Sequence, residues 1–329
     1  MKPPSFLFIE TTTECNLRCR QCHMWLSTEP GDALNTREKV ALIDELAAWS
    51  PGATVVLTGG ETMRKREEFF ALTAACRRHG LAAATNTNAT YIDGDDVVDR
   101  LLVEGPRYLV ISLDSHRPEL HDWVRGQPGT GEHVITTIGR LIERRRAAFP
   151  DSDLKIMTNM ILFDGNVDEI GSSVEFLANL GVDGVMFQAL SRTFWHRGDR
   201  DVFFEAHFPK DTERFDAAID GLVAMQAAGA PIITTANDLG WMKLYARDPD
   251  FIGEQVCGSH ERNMMVDQRG DVQLCFSMRG LMGGNALGNV RSTPLRALWE
   301  AEMAGDARSV MSSCRQNCGM LNCHRRIES

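Results

Sequence analysis

The chain has 329 residues, 43% of them hydrophobic, which is enough for one large domain, or a domain with an extension, around a substantial core. Its net charge of −10 argues against the phosphate backbone of a nucleic acid as a partner. No apolar run reaches the roughly 18 residues of a membrane span, and the first residues lack the pattern of a secretory signal. Without such a signal, the nine cysteines indicate metal binding in a reducing cytoplasm rather than disulfides.

Strand-like and helix-like stretches alternate through the first two thirds of the chain. Repeated β–α units of this length predict a parallel sheet with helices packed against it. The predicted strands are Phe6–Thr12, Ala53–Thr58, Leu81–Asn86, Tyr108–Leu113, Leu154–Ile161 and Gly184–Gln188. The predicted helices are Thr36–Trp49, Glu67–His79, Asp95–Val103, Val134–Ala147 and Val167–Leu180.

The pattern changes after the sixth predicted strand. The segment Ser191–Lys210 is rich in aromatic and charged residues and has no clear period, whereas Asp211–Ala228 has the pattern of an amphipathic helix. Further on, Met264–Val266 and Val272–Phe276 flank a turn-like segment and predict a hairpin. We therefore expect a core over residues 1–210, a connecting helical segment over 211–256 and a small C-terminal domain over 257–329.

Three cysteines, Cys15, Cys19 and Cys22, directly follow the first predicted strand. A [4Fe-4S] cluster is usually held by four thiolates, so a compact loop with three leaves one iron open to a substrate or cofactor. Two other interpretations remain open at this point. The thiols could bind zinc, with the neighbouring His23 as fourth ligand, or they could be ordinary buried cysteines.

The spacing C-x3-C-x2-C resembles the cluster loop of the radical S-adenosylmethionine (SAM) enzymes. The resemblance implies a partial (β/α)6 barrel, with the active residues at the C-terminal ends of its strands. It also implies that SAM chelates the open iron, accepts one electron and gives a 5′-deoxyadenosyl radical, with a flavodoxin- or ferredoxin-type protein as the external reductant. One position departs from the family. The residue before the third cysteine is often aromatic there and helps to hold adenine, whereas this chain has Gln21.

Further segments resemble the SAM site of that family. Gly59-Gly60-Glu61 follows the second predicted strand and is similar to the GGE motif, whose glutamate side contacts the SAM amino group. Thr62 replaces the proline that often comes next. The glycines would let the backbone approach a ligand closely. A Gly-Gly-Glu turn is common, so its position after the cysteine loop carries this inference.

The third and fourth predicted strands end in two more such segments. Asn88 lies in a stretch similar to the family's T-N-G-T, with Ala89 in place of glycine. Ser112 and Asp114 belong to an S-L-D segment, and Arg125 to an R-G pair that follows it. The resemblance makes Ser112 and Arg125 candidates for the SAM carboxylate, and Asp114 a candidate for the mouth of the site. The alternative is a capping serine, a turn aspartate and a surface arginine. We also expect His116 and His121 at the surface.

Five cysteines lie near the C-terminus. Cys257, Gly270 and Cys275 form the spacing C-x12-G-x4-C, which resembles the opening of the SPASM and twitch extensions that bind auxiliary clusters. A full SPASM domain has about seven cysteines, so we expect a twitch-like domain with one auxiliary [4Fe-4S] cluster. The expected ligands are Cys257, Cys275, Cys318 and Cys323. Cys314 would then be spare and could donate a hydrogen atom, while Cys76 reads as a buried apolar residue.

The resemblance implies abstraction of a hydrogen atom from a C–H bond, and the substrate is a separate question. Cys15 lies so near the start that we expect no leader-peptide-binding domain upstream, which favours a small polar substrate: an amino sugar, aminocyclitol or aminoglycoside of antibiotic biosynthesis. Epimerisation completed by Cys314 is then the first hypothesis. The residues expected to line the pocket are Trp195, His196, Arg197, Asp199, Asp201, Asp238 and Trp241.

Three alternatives remain. One is dehydrogenation of a secondary alcohol, with the auxiliary cluster as electron acceptor. Another is a peptide epimerase or maturase that acts on a ribosomal peptide. The third is a zinc or iron–sulfur carrier without enzymatic activity.

Overall fold

The computed structural model describes residues 2–192, 201–249, 258–276 and 278–314. Its strands are β1 (Phe6–Thr12), β2 (Thr54–Gly59), β3 (Ala82–Thr87), β4 (Tyr108–Ser112), β5 (Lys155–Leu162), β6 (Gly184–Ala189), β7 (Asn263–Val266) and β8 (Val272–Gln273). The helices are α1 (Thr36–Trp49), α2 (Arg66–Arg78), α3 (Asp95–Glu104), α4 (Pro118–Arg125), α5 (Thr130–Ala148), α6 (Ile170–Leu180), α7 (Val202–His207), α8 (Thr212–Ala227), α9 (Ala236–Arg247), α10 (Ser259–Arg262), α11 (Met278–Leu281), α12 (Leu295–Glu300) and α13 (Glu302–Ser312).

The strands form one sheet in the order β6-β5-β4-β3-β2-β1-β7-β8. Neighbouring strands are parallel, except that β8 runs antiparallel to β7. Right-handed crossovers place the connecting helices of such a sheet on one face. In the part of the chain that the structure describes, the sheet does not close between β6 and β8. The expected partial barrel is therefore confirmed.

Side chains alternate between the two faces of the strands, as the period of a β-strand requires. In β1, Leu7 and Ile9 are fully buried in the core between sheet and helices, where they join Leu42 and Ile43 of α1. Their neighbours along β1 point to the opposite face, which we call the inner face. The inner face is lined mostly by half-buried residues, as in β1, so it is where a ligand can reach the sheet.

The C-terminal hairpin is part of the barrel sheet. β7 lies parallel to β1 with Phe8 opposite Met265, and β8 pairs with β7. The turn between β7 and β8 has Gly270 at φ 88°, a left-handed conformation that favours glycine. The predicted hairpin is confirmed, but its fusion to the first strand was not predicted, because short strands carry no mark of their partner. The three-part division of the chain stays a prediction.

Helix α1 begins with a capping box, in which Asn35 and Glu38 each bond the other's backbone N–H. Helix α4 was missed in the sequence because it has only eight residues, although Pro118 at its first turn is a helix-start signal. None of the helices in the described ranges is long and apolar enough to cross a membrane.

Candidate active site

The cysteine loop leaves the C-terminal end of β1, and each of its three sulfurs has a nitrogen donor nearby. Asn88 Nδ2 lies 3.9 Å from Cys15 Sγ, and Arg125 Nη1 lies 4.0 Å from Cys19 Sγ. The backbone N–H of Met24 donates to Cys22 Sγ at 3.4 Å. Hydrogen bonds to ligating sulfurs stabilise the charge of a bound cluster and tune its potential. The arrangement therefore suits thiolates that carry iron.

Burial dominates the acid–base behaviour of these thiols. It raises the pKa of Cys15 and of Cys22, and it raises the pKa of Cys19 to about 12. The free thiols are therefore protonated at neutral pH, and metal binding must displace their protons. No three Cys, His, Asp or Glu side chains in the described ranges form a group that could hold a metal ion. In a four-iron cluster each thiolate bonds a different iron.

The cysteine loop contains a buried hydrogen-bond acceptor that has no donor among the described residues. The side-chain oxygen of Gln21 is buried and has no hydrogen-bond partner among the described residues. A buried acceptor without a partner costs free energy, so a ligand with a hydrogen-bond donor would fit there. The nitrogen donors near the three sulfurs suit an iron–sulfur cluster, and the Gln21 oxygen suits a polar cosubstrate.

The two motif glycines allow the end of β2 to touch the cysteine loop. A Cβ on Gly59 would lie 2.1 Å from Thr12 O, and one on Gly60 would lie 2.1 Å from Glu14 O. The N–H groups of Gly60 and Glu61 donate to those same carbonyls at 2.6 and 2.9 Å. The close approach that glycine permits is thus backbone against backbone in this structure, and it holds the cysteine loop in place.

Glu61 is almost fully buried, and its carboxylate is held by the protein itself. It accepts hydrogen bonds from Thr87 Oγ1 at 2.7 Å, from Asn88 N at 2.8 Å and from Met63 N at 3.1 Å. Burial raises its pKa, and the donors oppose that shift. Glu61 therefore ties the Gly-Gly-Glu turn to the end of β3, and its contact with SAM stays a prediction.

Asn88 connects this turn to the cysteine loop, because its side chain also donates to Asn16 Oδ1 at 3.0 Å. The next residue, Ala89, has φ 61°, a left-handed conformation that is strained for alanine. This explains why a glycine suits that position in the T-N-G-T pattern. The structure places Asn88 beside Cys15, and its role toward SAM stays a prediction.

Asp114 and Arg125 form a buried ion pair behind the cysteine loop. Arg125 Nε donates to Asp114 Oδ2 at 2.8 Å, and Asp114 has no exposed surface. Burial opposes the charge of Arg125, but Asp114 and Cys19 outweigh it and hold the Arg125 pKa above its ordinary value. Asp114 is thus not at the mouth of the site, and the roles of both residues toward SAM stay predictions.

His121 also differs from expectation, because it is buried rather than at the surface. Its Nδ1 accepts a hydrogen bond from the backbone N–H of Asp114 at 3.2 Å. Burial lowers the pKa of His121 to about 4, so the ring is neutral and supports the ion pair.

Ser112 lies on the inner face, at the end of β4, opposite Asn159 of β5. Two further polar residues, Glu10 and Thr58, face each other across β1 and β2 in the same way. The inner face also presents Gln188 from β6. These side chains were not predicted as a group, although a carboxylate within the apolar strand β1 is a signal that the sequence already contains.

The residues expected in the substrate pocket are only partly described, and their role there stays a prediction. Asp201 accepts from Phe204 N at 3.0 Å and caps α7, and Asp238 shares a hydrogen bond with Thr235 at the start of α9. Trp241 packs against the core. Trp195, His196, Arg197 and Asp199 lie outside the described residues.

The C-terminal cysteines are only partly described. Cys275 is half-buried after β8, and Cys314 is half-buried just after α13. Cys257, Cys318 and Cys323 lie outside the described residues, so the ligand set and the spare thiol Cys314 stay predictions. Cys76, on α2, is fully buried in the hydrophobic core, as expected for an apolar residue.

Two family models match the chain. The radical SAM superfamily matches residues 9–177, and the SPASM iron–sulfur cluster-binding domain matches residues 257–324. The AdoMet-dependent heme synthase of Methanosarcina barkeri is 28% identical over 90% of this chain and 82% of that protein. The mycofactocin maturase MftC of Mycobacterium ulcerans is 27% identical over 96% of this chain and 83% of that protein.

The crystal structure of Streptococcus suis SuiB bound to S-adenosylmethionine has the same fold. It superposes with a TM-score of 0.73 and 17% identity over 95% of this chain and 72% of SuiB. The cofactors are a [4Fe-4S] cluster with SAM in the barrel and auxiliary iron–sulfur binding in the C-terminal domain. The chain therefore belongs to the radical SAM superfamily and is a radical SAM enzyme with a C-terminal SPASM domain.

Proposed function

We propose that this chain is a peptide maturase that abstracts a hydrogen atom from one residue of a peptide substrate. The comparisons favour this alternative over the amino sugar, aminocyclitol or aminoglycoside that the sequence suggested first. Similarity to the maturase MftC extends over most of both proteins, and the sporulation killing factor maturation protein SkfB of Bacillus subtilis is a further relative. SuiB, which shares the fold, has also been crystallised with a precursor peptide.

The observation that carries the proposal is the polarity of the inner face. Glu10, Thr58, Ser112, Asn159 and Gln188 present carboxylate, hydroxyl and amide groups from five of the eight strands, β1, β2, β4, β5 and β6. A peptide has a polar group at each residue, and groups of this kind satisfy its N–H and C=O groups. A peptide could therefore lie along this face with its hydrogen bonds made.

A heme-synthase-like activity is the second candidate, because that relative is the more similar of the two in sequence. A porphyrin is a wide apolar disc, and sites for such ligands are mostly apolar and about 300 to 1,000 Å³ in volume. A cavity of about 180 Å³ with a charged end opens on the inner face among the described residues. It has room for one side chain of a peptide, and this supports the peptide proposal.

The division of labour follows from the site. When bound, the cluster and SAM supply the radical that abstracts the hydrogen atom. The chain's own residues hold the loop through Gly59, Gly60 and Glu61, place the Arg125 cation beside Cys19 and orient the substrate on the inner face. An external one-electron donor of the flavodoxin or ferredoxin type, in a reducing cytoplasm, would supply the electron.

The product distinguishes two outcomes of the same abstraction. Epimerisation would be completed by a thiol such as Cys314, and turnover in heavy water would then place deuterium in the peptide. Oxidation, with an auxiliary cluster as electron acceptor, would give a product two mass units lighter. Both outcomes are compatible with the domain assignment of residues 1–210, 211–256 and 257–329 that we propose.

The origin of the abstracted atom tests the proposal. The iron-loaded chain, SAM and a chemical one-electron reductant are incubated separately with a pool of perdeuterated peptides and with perdeuterated Fe-coproporphyrin III. We expect deuterium in 5′-deoxyadenosine from the peptides and not from the porphyrin, measured by mass spectrometry. Deuterium from the porphyrin alone would show that the heme-synthase-like candidate is correct instead. The variant Cys15→Ala/Cys19→Ala/Cys22→Ala is the control for SAM cleavage that does not depend on the cluster.

A further inference from the structure

A cavity of about 180 Å³ opens on the inner face where the hairpin joins the barrel. Its floor is formed by β1, β2, β7 and β8, so it lies at the seam between the first β–α unit and the C-terminal extension. A cavity of roughly 150 Å³ holds a benzene ring, so this one has room for a single side chain or a short aliphatic segment. None of the motif residues lines it.

One part of the cavity wall is apolar. Phe8 and Phe276 meet edge to face with ring centroids 5.8 Å apart, and Met265 lies opposite Phe8 on β7. Such walls gain free energy from an aliphatic chain, because burying each CH₂ group contributes about 0.8 kcal/mol. They do not select the end of that chain, which depends on the polar residues.

One polar side of the cavity is already paired within the hairpin. Arg279 Nη2 donates to Asp267 Oδ2 at 2.6 Å and to Asp271 Oδ2 at 2.9 Å. Asp267 also accepts hydrogen bonds from the N–H groups of Arg269 and Asp271, each at 2.9 Å. Two carboxylates against one guanidinium leave this side negative. It therefore disfavours an anionic ligand.

Glu10 forms the other polar side and is poorly satisfied by the protein. Its carboxylate accepts a long hydrogen bond from Gln268 N, at 3.4 Å. Lys39, a cation whose charge also acts on Glu10, donates instead to Glu68 Oε1 at 2.6 Å and to Thr11 O at 2.8 Å. Burial, with the charge of Asp267, raises the pKa of Glu10 to about 7, although the hydrogen bond from Gln268 and the charges of Arg279 and Lys39 oppose that shift.

We propose that this cavity binds a primary ammonium group at the end of an aliphatic segment of the substrate, with Glu10 as the carboxylate that selects it. The inference rests on the proposed function, since the lysine side chain of a peptide has this chemistry. The apolar walls would hold the methylene groups, as they do for lysine stems elsewhere. The ammonium would donate short hydrogen bonds to Glu10 and would balance the excess of negative charge that remains beside Arg279. Glu10 is thus a residue that determines specificity.

Binding of three small probes tests this without turnover. The iron-loaded chain with saturating SAM is titrated calorimetrically with n-butylammonium, butan-1-ol and butyrate, at about pH 8 and about pH 6. We expect butylammonium to bind at least about tenfold more tightly than butanol at the higher pH. We expect that affinity to fall about tenfold at the lower pH, since a carboxyl with a pKa of about 7 is then mostly protonated while the amine stays charged.

Two variants sharpen the result. In Glu10→Gln we expect both the preference for the ammonium and its pH dependence to disappear. Glu67→Gln makes the same change in net charge on the exposed surface of α2 and should behave like the wild type. The comparison of three probes in the wild type needs no variant, so it remains decisive if Glu10→Gln does not fold.

Several outcomes would overturn the inference. Equal binding of butanol and butylammonium would show that no charge is selected. Preferred binding of butyrate would assign the cavity to an anion held by Arg279, whose Nε is buried without a hydrogen-bond partner among the described residues. Loss of butylammonium binding when SAM is added would assign the cavity to SAM. A chain that binds butylammonium but takes no deuterium from peptides would contradict the proposed function and leave this inference standing.

Discussion

Two carboxyls on neighbouring strands of the barrel show how differently the protein treats a buried charge. Glu61, at the end of β2, accepts three hydrogen bonds of 2.7 to 3.1 Å from the turn that surrounds it. Glu10, on β1, accepts one hydrogen bond of 3.4 Å and faces a cavity. Burial raises the pKa of both. We infer that Glu61 stabilises the turn, whereas Glu10 binds a ligand.

The same contrast extends to the regions around them. On the side of β2, β3 and β4, the charged groups pair with one another, as Asp114 does with Arg125, and glycines bring the backbone of β2 against the cysteine loop. On the side of β1 and the hairpin, a cavity with one apolar wall carries an excess of negative charge. We infer that the region of β2, β3 and β4 positions the cluster, and that the region of β1 and the hairpin selects the substrate. Variants of each region should therefore fail in different ways.

The largest effect is expected from removing the three thiols of the cysteine loop. Cys15→Ala/Cys19→Ala/Cys22→Ala should lower the iron content from about eight to about four per chain, because one of two four-iron clusters is lost. Iron is counted after anaerobic reconstitution, and 5′-deoxyadenosine formation should fall below detection. An unchanged iron content would contradict the assignment of these thiols. An iron content near zero would show that the C-terminal cluster does not form without the first.

A single methyl group at Gly60 should have the next largest effect. The Cβ of Gly60→Ala would lie 2.1 Å from Glu14 O, a contact that only a shift of the cysteine loop can relieve. We expect a chain that keeps its fold but loses about half of its iron, since the barrel cluster is the one affected. Gly52→Ala is the matched control, because a Cβ there meets nothing within 4 Å. Equal iron contents in the two variants would mean that the approach of β2 does not hold the loop.

Glu61→Gln tests whether the motif carboxylate is a scaffold group. An amide NH₂ would replace one acceptor oxygen and face a donor from Thr87, Met63 or Asn88. We expect the variant to be less stable by about 1 to 3 kcal/mol in anaerobic thermal unfolding, the usual cost of an unsatisfied buried group. Glu67→Gln on the surface should change little. A Glu61→Gln variant as stable as the wild type would remove the contrast between the two carboxyls.

The region of the cysteine loop and the Gly-Gly-Glu turn was largely predictable from the sequence, because its motifs are short and local. The spacing of Cys15, Cys19 and Cys22 and the Gly-Gly-Glu turn lie in runs of a few residues, and the strands that carry them alternate regularly with helices. What the sequence did not show was the partner of each group. Nothing in the run around Asp114 indicates that it lies buried against Arg125 rather than at the mouth of the site.

The hairpin side was not predicted, because its pairing joins residues that are far apart in the chain. Glu10 and Gln268 are separated by 258 positions, and β7 and β8 are too short to reveal which strand they join. The available signal was a single carboxylate within the apolar strand Phe6–Thr12. Without knowledge of the partner strand, Glu10 is equally consistent with an ordinary side chain on the solvent-exposed face of a strand.

Glu10→Gln should change the stability of the fold by a similar amount and in the opposite direction. The folded pKa of Glu10 is about 7 against an ordinary value of 4.5, so the folded chain keeps a proton that the unfolded chain releases between these values. Glu10 therefore costs stability progressively as the pH rises from about 4.5 to 7, and the cost is complete above that range. Glutamine has no such cost. The variant should be more stable than the wild type at about pH 8, by about 1 to 3 kcal/mol once the partial exposure of the carboxyl is discounted.

The pH dependence separates this effect from a general gain in packing. The difference between Glu10→Gln and the wild type should shrink toward zero at about pH 4.5, where glutamic acid is neutral in the folded chain. Thermal unfolding measured at several pH values gives this curve directly. A difference that does not vary with pH would mean that Glu10 is not held ionised at a cost. A variant that is less stable than the wild type at high pH would show that Glu10, like Glu61, stabilises the fold. It would also remove the reason to assign Glu10 to a ligand.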